Sequence, residues 1–328
     1  MATTQGNFPK GFSAVTVRGI PLVQTHPGKV FWVSNASTAM QTGQKTGSDG
    51  NKGTFDAPFA TLDYAVGQCT GSRGDIIFVK PGHAETYSAA GSLTLDVAGV
   101  AIVGLGSGSL RPTFTLDTAT TATIRLSASN CSMQNVVVSA NFADIVSAFT
   151  FTTGGVAKYF SMENVEVKAT ATNMNFLHVF DTNVTTAAAD GLYIDGLKWI
   201  EPDAATLGAI LLDGTNDDWV IKNSYINIGH TTAVGSLITG ATTKIVTNLV
   251  VSDIMLTSAQ TDGSAGVLIS SDATTWTGFV HNTLTKNADA AANIIVFATS
   301  NLTPSPINYH SGVANQHGAV LTTVFDNS

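Results

Sequence analysis

Charge is scarce in this sequence. Only 12% of its 328 residues are Asp, Glu, Lys or Arg, about half of the roughly 25% of ordinary globular proteins. A surface so poor in charge must be covered by Thr, Ser, Asn, Ala and Gly, or be partly buried against copies of itself. Fifteen basic residues and a net charge of −8 leave no cluster able to neutralise phosphates, which excludes a nucleic-acid partner. Cysteine is nearly absent: Cys69 and Cys131 make no disulfide framework, no Cys/His pair has zinc spacing, and both read as small buried hydrophobes. No cofactor or metal is expected. Apolar runs of about eighteen residues are missing too, so no membrane partner is expected. The start Met-Ala-Thr-Thr-Gln has neither a basic n-region nor an apolar h-region, and the expectation is a chain made in the cytosol that stays soluble or is carried out by something other than a signal peptide.

What the sequence does have is a repeat. The turn Met133-Gln134-Asn135-Val136 returns in altered form about every 30 residues, giving the column Gly104, Asn135, Asn164, Gly196, Asn223, Asp253, Asn282 and Asn308. Each is Gly, Asn or Asp, the residues that tolerate a left-handed backbone, so the chain is expected to bend sharply once per repeat. Two positions earlier stand Ile102, Met133, Met162, Ile194, Ile221, Val251, Val280 and Pro306, all apolar. Between the two columns lie Gln134, Glu163, Asp195, Lys222, Ser252 and His281. One position faces in and the next faces out. With too few Leu and Glu for paired helices, the pattern specifies an all-β fold, a parallel β-solenoid of about eight rungs.

In chain order, residues 1–35 read as a strand-bearing arm interrupted by Pro9, Pro21 and Pro27, for docking or oligomerisation. Residues 36–74 hold a Gly-rich loop and a helix whose apolar stripe is Leu62, Ala65, Val66 and Cys69, entered after Pro58 and left before Gly71. A solenoid end needs a cover, and this helix is the expected N-terminal cap. Residues 75–311 are the solenoid and 312–328 a tail. Pro304 and Pro306 suit a final edge that accepts no further strand.

The succession Asp49-Gly50, Pro58-Phe59-Ala60-Thr61-Leu62, the helix with Ala65, then Gly74-Asp75-Ile76-Ile77 and Lys80-Pro81-Gly82 resembles the opening of pectate-lyase-like right-handed β-helix proteins. It is most similar to the versions found in virion proteins of tailed bacteriophages. The resemblance is specific over residues 49–87 and continues only as the rung pattern. It implies right-handed coiling, three-faced rungs and a habit of forming trimers.

Enzymes of this fold cleave acidic polysaccharides, and glycosidic cleavage needs two carboxyl groups facing each other. The best cluster is Asp213, Asp217 and Asp218, followed by Gly229-His230, which loosely resembles the paired aspartates and Gly-His of polygalacturonases. Thr231 stands where that motif has a second Gly, and the plainer reading of Gly214-Thr215-Asn216-Asp217-Asp218 is a solvated corner loop. The stripe Gln134, Glu163, Asp195 and Lys222 reads as a wet or subunit-facing surface. His178, inside the run Phe176–Phe180, reads as a satisfied core or interface histidine, and His83 as part of an exposed loop. Trp199, Trp219 and Trp276 form no stacking platform and read as core or interface fillers; Trp32 is expected to plug the solenoid end or a neighbour.

The expected function is therefore that of a phage virion protein, more structural than enzymatic: a homotrimeric β-helix that decorates or stabilises the capsid and docks through residues 1–35. The alternative is a tailspike-like protein that binds a receptor or depolymerises a surface glycan, with Asp213, Asp217 and Asp218 as its acidic centre. A bacterial cell-surface β-helix acquired with a prophage is a third class, disfavoured by the missing secretion signal.

Overall fold

A computed structural model describes residues 28–35, 44–152, 157–201, 203–229, 235–240, 243–259, 268–270 and 276–287, together with short strands at 16–17, 20–21, 295–296, 301–304, 308–311, 319–320 and 325–326. The chain coils as an all-β, right-handed parallel β-helix with three faces. One turn shows the plan. Ser132–Gln134 lies on the first face, Val137–Ala140 on the second and Ile145–Phe151 on the third. Each pairs in parallel with the strand one turn before and one turn after.

Among the described residues the sheets contain ten, ten and nine strands, more than the expected eight rungs. The difference lies mostly at the beginning. The turn column starts at Gly104, whereas Ile76–Val79 already leads a closed turn whose corner is the longer loop through Pro81 and Gly82. Before it, Val30–Val33 pairs in parallel with Ile76–Val79. This strand, expected in the docking arm, belongs to the coil.

Alternation explains the interior. Ile102, Met133, Met162, Ile194, Ile221, Val251 and Val280 are in register on the first face, and all are buried. On the third face Ile124, Phe149, Phe180, Ile210, Ile238 and Ile269 stack likewise. The rings of Phe149 and Phe180 lie 5.1 Å apart and nearly parallel. Identical spacing from turn to turn lets like side chains touch like. Trp199, Trp219 and Trp276 are fully buried in this core, and the Trp219 indole donates to the Ala189 carbonyl at 2.8 Å. Cys131 is buried and Cys69 half-buried. Burial pushes the Cys69 thiol up to about 12.

The bends fall where the column places them, with two exceptions. Asn135, Asn164, Gly196, Asn223, Asp253 and Asn282 have φ between 47° and 74°. Their side chains also climb the axis: Asn164 Nδ2 donates to Asn135 Oδ1 at 2.9 Å, Asn223 to Asp195 Oδ1 at 2.8 Å, and Asn282 to Asp253 Oδ1 at 2.6 Å. Gly104 is the first exception, because it ends a strand without a left-handed φ. Glycine stands there for space, since a Cβ would meet the Asn135 carbonyl oxygen at 2.3 Å. Asn308 is the second. It pairs with Thr283 rather than Asn282 and opens the strand Asn308–Ser311. Three residues separate Pro304 from Asn308 where two separate Val280 from Thr283, so spacing misaligns the column there. Pro306 lies outside the described residues, and Val280 pairs instead with Pro304. Ser224, polar where Val136 and Leu197 are apolar, donates to the Lys222 carbonyl and accepts from the Leu197 N–H.

The expected helix is α1, Leu62–Gly67, whose Leu62, Ala65 and Val66 are buried. It sits where the first turn has no second-face or third-face strand, its apolar side in the same core as Val33, Ile77 and Leu93. His83, expected in an exposed loop, is buried beneath it. The His83 Nδ1 accepts from the Asn35 N–H at 3.1 Å, its Nε2 lies 3.1 Å from Glu85 Oε2, and that oxygen accepts the Leu62 N–H at 3.0 Å. Trp32 does not plug the solenoid end; it is buried on the flank of the first face, apart from the main core. Its ring lies tilted against Phe78 at 5.0 Å, and Phe55 from the following loop packs edge-on against it at 4.9 Å. The tail is also partly built in: Ala319–Val320 runs antiparallel to Tyr309–His310, and Phe325–Asp326 parallel to Ile295–Val296.

Candidate functional site

A second left-handed column, unmarked in the sequence reading, forms the corner between the third and first faces. Gly74, Gly99, Asn130, Tyr159, Gly191, Asp218 and Asn248 all have φ between 55° and 77°, each two residues before a first-face strand position in register. The signal was available as the same recurrence of Gly, Asn and Asp, interrupted by one residue of another kind. That residue is Tyr159, 58% exposed. A bulky side chain at positive φ carries strain that smaller residues avoid. Its ring lies over Gly191, where a Cβ would meet Tyr159 Cδ1 at 2.3 Å.

Beside it runs a charged column. Lys158 Nζ pairs with Asp190 Oδ2 at 2.8 Å, Asp190 Oδ1 accepts the Asp217 N–H at 2.9 Å, and Asp217 accepts from the Thr247 hydroxyl. Partial desolvation, then the charges of Asp190 and Asp218, raise the Asp217 carboxyl above its ordinary value. Asp218 accepts from Asn248 Nδ2 at 3.0 Å. Asp217 and Asp218 therefore share this corner, each bound to the next turn. Asp213 acts elsewhere: its N–H donates to Thr182 Oγ1 at 3.1 Å, and its charge adds to burial in raising Asp181. His230 lies outside the described residues. The three aspartates expected as one acidic centre are divided between two places.

The corner between the second and third faces carries the residue that sequence reading missed. In Lys198–Glu201 the alternation that turns Trp199 inward also turns Glu201 inward, and period-two counting from Trp199 would have found it. Glu201 is 1% exposed, and among the described residues its Oε2 meets no hydrogen-bond donor. Burial pushes its carboxyl up to about 7, against the opposing pull of the Asp203 and Phe176 backbone N–H groups. Next to it is a cleft of about 310 Å³ lined by Lys168, Thr170, Asn173, Ile200, Glu201 and Asp203 among others.

A shallower groove of about 290 Å³ lies where the first and second faces meet, along Asn135 and Asn164. Glu166 there bonds both Arg111 and Lys198, the latter at 3.0 Å. Burial alone would raise Glu166, but its two cationic partners and Lys168 hold it below the usual range. In the outward stripe, Lys222 Nζ pairs with Asp195 Oδ2 at 3.3 Å and Gln134 reaches Glu163. His178 is buried with Nδ1 at 3.1 Å from the Gly208 carbonyl; desolvation lowers it to about 4. Among the described residues, no group of three His, Cys, Asp or Glu side chains converges as a metal site would require.

Three faces of in-register parallel strands place the chain among parallel β-helices as a matter of architecture. No protein-family model matches it, and no curated protein does. Among solved structures it is similar to a rhamnogalacturonan lyase, 13% identical over 80% of this chain and 75% of the lyase, with a TM-score of 0.41.

Proposed function

We propose that the protein is a structural component of a tailed-bacteriophage virion, a homotrimeric rod that decorates or reinforces the capsid. The observation that supports this is an apolar ridge on the second face. Tyr225, Met255 and Leu284 follow one another in register over three consecutive turns and are 38%, 47% and 48% exposed. Phe279, on the first face of the last of these turns, is 59% exposed. Water gains nothing from such a ridge, whereas a second copy of the same face does. Sedimentation equilibrium of the isolated chain tests this: the expected mass is about three times 33.9 kDa. The double variant Met255→Glu, Leu284→Glu is expected to sediment as a single chain. A wild-type monomer overturns the trimer.

A second reading, tailspike-like recognition or cleavage of a surface glycan, is favoured by Tyr159. An exposed ring held in a strained backbone beside Asp217 and Asp218 offers a sugar both a stacking face and hydroxyl acceptors. Tyr159→Ala and the pair Asp217→Asn, Asp218→Asn are expected to abolish glycan binding or release of reducing ends. Equal activity in all three proteins removes this reading.

A further inference from the structure

We propose that the copies associate by unlike faces, the first face of each lying on the second face of the next, an inference that rests on the trimer proposed for the second-face ridge. The first face carries an apolar ridge of its own. Tyr193, Val220, Val250 and Phe279 follow one another in register. The first three are partly buried and Phe279 is exposed. Both ridges occupy the same turns: Val220 shares one with Tyr225, Val250 the next with Met255, and Phe279 the third with Leu284. The polar corner of Asn223, Asp253 and Asn282 separates them. Ridges at one height meet when a neighbour is placed by rotation about an axis along the coil, without a shift. Rotation of that kind can close a ring, whereas a shift would give an open filament.

Charge decides between like and unlike faces. From Glu163 to His281, the first face and its corner carry the carboxylates of Glu163, Asp195 and Asp253 against the one ammonium of Lys222. The second face is the reverse. Lys168, Lys198 and Lys286 are exposed there, and the outward carboxylate among them, Glu166, is already held by Arg111 and Lys198. Second face on second face would set Lys198 and Lys286 beside their own copies and leave Phe279 in water. First face on second presents Lys198 to the turn of Asp195 and Lys286 to the turn next to Asp253, while both ridges leave water. Apolar burial supplies the adhesion, and the charges choose which face is accepted.

Sedimentation of single and mixed variants, each with its fold checked by circular dichroism, tests this. Phe279→Lys spoils only the first face, and Met255→Glu, Leu284→Glu only the second; all three side chains are exposed. Each variant alone is expected to sediment as a single chain. Mixed in equal amounts, they are expected to form a two-chain complex, because one keeps an intact second face and the other an intact first face. Lys286→Gln is expected to weaken the wild-type association several-fold. A Phe279→Lys protein that stays trimeric, a mixture of single chains only, or tighter association in Lys286→Gln would each overturn the unlike-face contact while a wild-type trimer stands. A wild-type monomer removes the trimer and this contact together.

Discussion

Asn164 shows how much one side chain does at a corner. Its backbone takes a left-handed φ of 50°, its N–H donates to Asp195 O at 2.8 Å, and its amide donates to Asn135 one turn away. Asn164→Ala keeps the backbone demand while deleting the amide, and is expected to cost about 1–2 kcal/mol in urea unfolding. Asn164→Gly removes the steric conflict and should cost visibly less. Glu201 makes the matching case for pH. Its folded carboxyl, near 7, binds a proton that the unfolded chain has already released above its ordinary value of 4.5. Stability from this group is therefore greatest in acid and declines as pH rises from about 4.5 to 7, by an amount of the order of 3 kcal/mol. His178 runs the other way. Lowered to about 4, it destabilises the fold as pH falls from about 6.5 to 4. Unfolding free energies of wild type and Glu201→Gln, measured from pH 5 to 8, should diverge as pH rises, with wild type losing ground.

At the scale of elements, the opening of the coil depends on pieces far apart in sequence. Val30–Val33 pairs with a strand more than 40 residues later, α1 fills the rest of that turn, and His83 with Glu85 ties Asn35 to the start of α1. Deleting residues 2–27 should leave the melting curve unchanged. Deleting 2–35 should uncover the edge of Ile76–Val79 and cause aggregation by light scattering, because an unpaired strand edge recruits other chains. The helix was legible from its stripe of Leu62, Ala65 and Val66, a local signal. The place of the Val30–Val33 strand in the coil was not, because an insertion of loop and helix breaks the period that identifies the later rungs. The same limit explains Asn308, where one extra residue between the paired positions moves the register by one.

For the molecule as a whole, an apolar ridge on one face of a charge-poor β-helix suits burial against something. If that something is its own copy, the Met255→Glu, Leu284→Glu variant should keep the wild-type circular dichroism spectrum while losing its concentration-dependent mass. Those residues face outward, so the core is untouched. Unchanged mass in the variant would place the contact on another face. If the chain attaches to a capsid through its N-terminal arm as proposed, residues before Val30 are the part of the arm outside the coil. Particles bearing the 2–27 deletion are the direct comparison.

The sequence by itself determined the repeat, the inward and outward positions and most of the first row of bends. Those are consequences of local backbone preference and period-two alternation, and both are written in adjacent residues. Tertiary structure alone decided which polar side chains share a corner. It joined Tyr159 to Asp190 and Asp217, moved Asp213 away from them, and closed Glu201 inside the wall. Neighbours one turn apart along the axis are separated by about 30 residues in the chain, and corner loops of unequal length decide which of them meet.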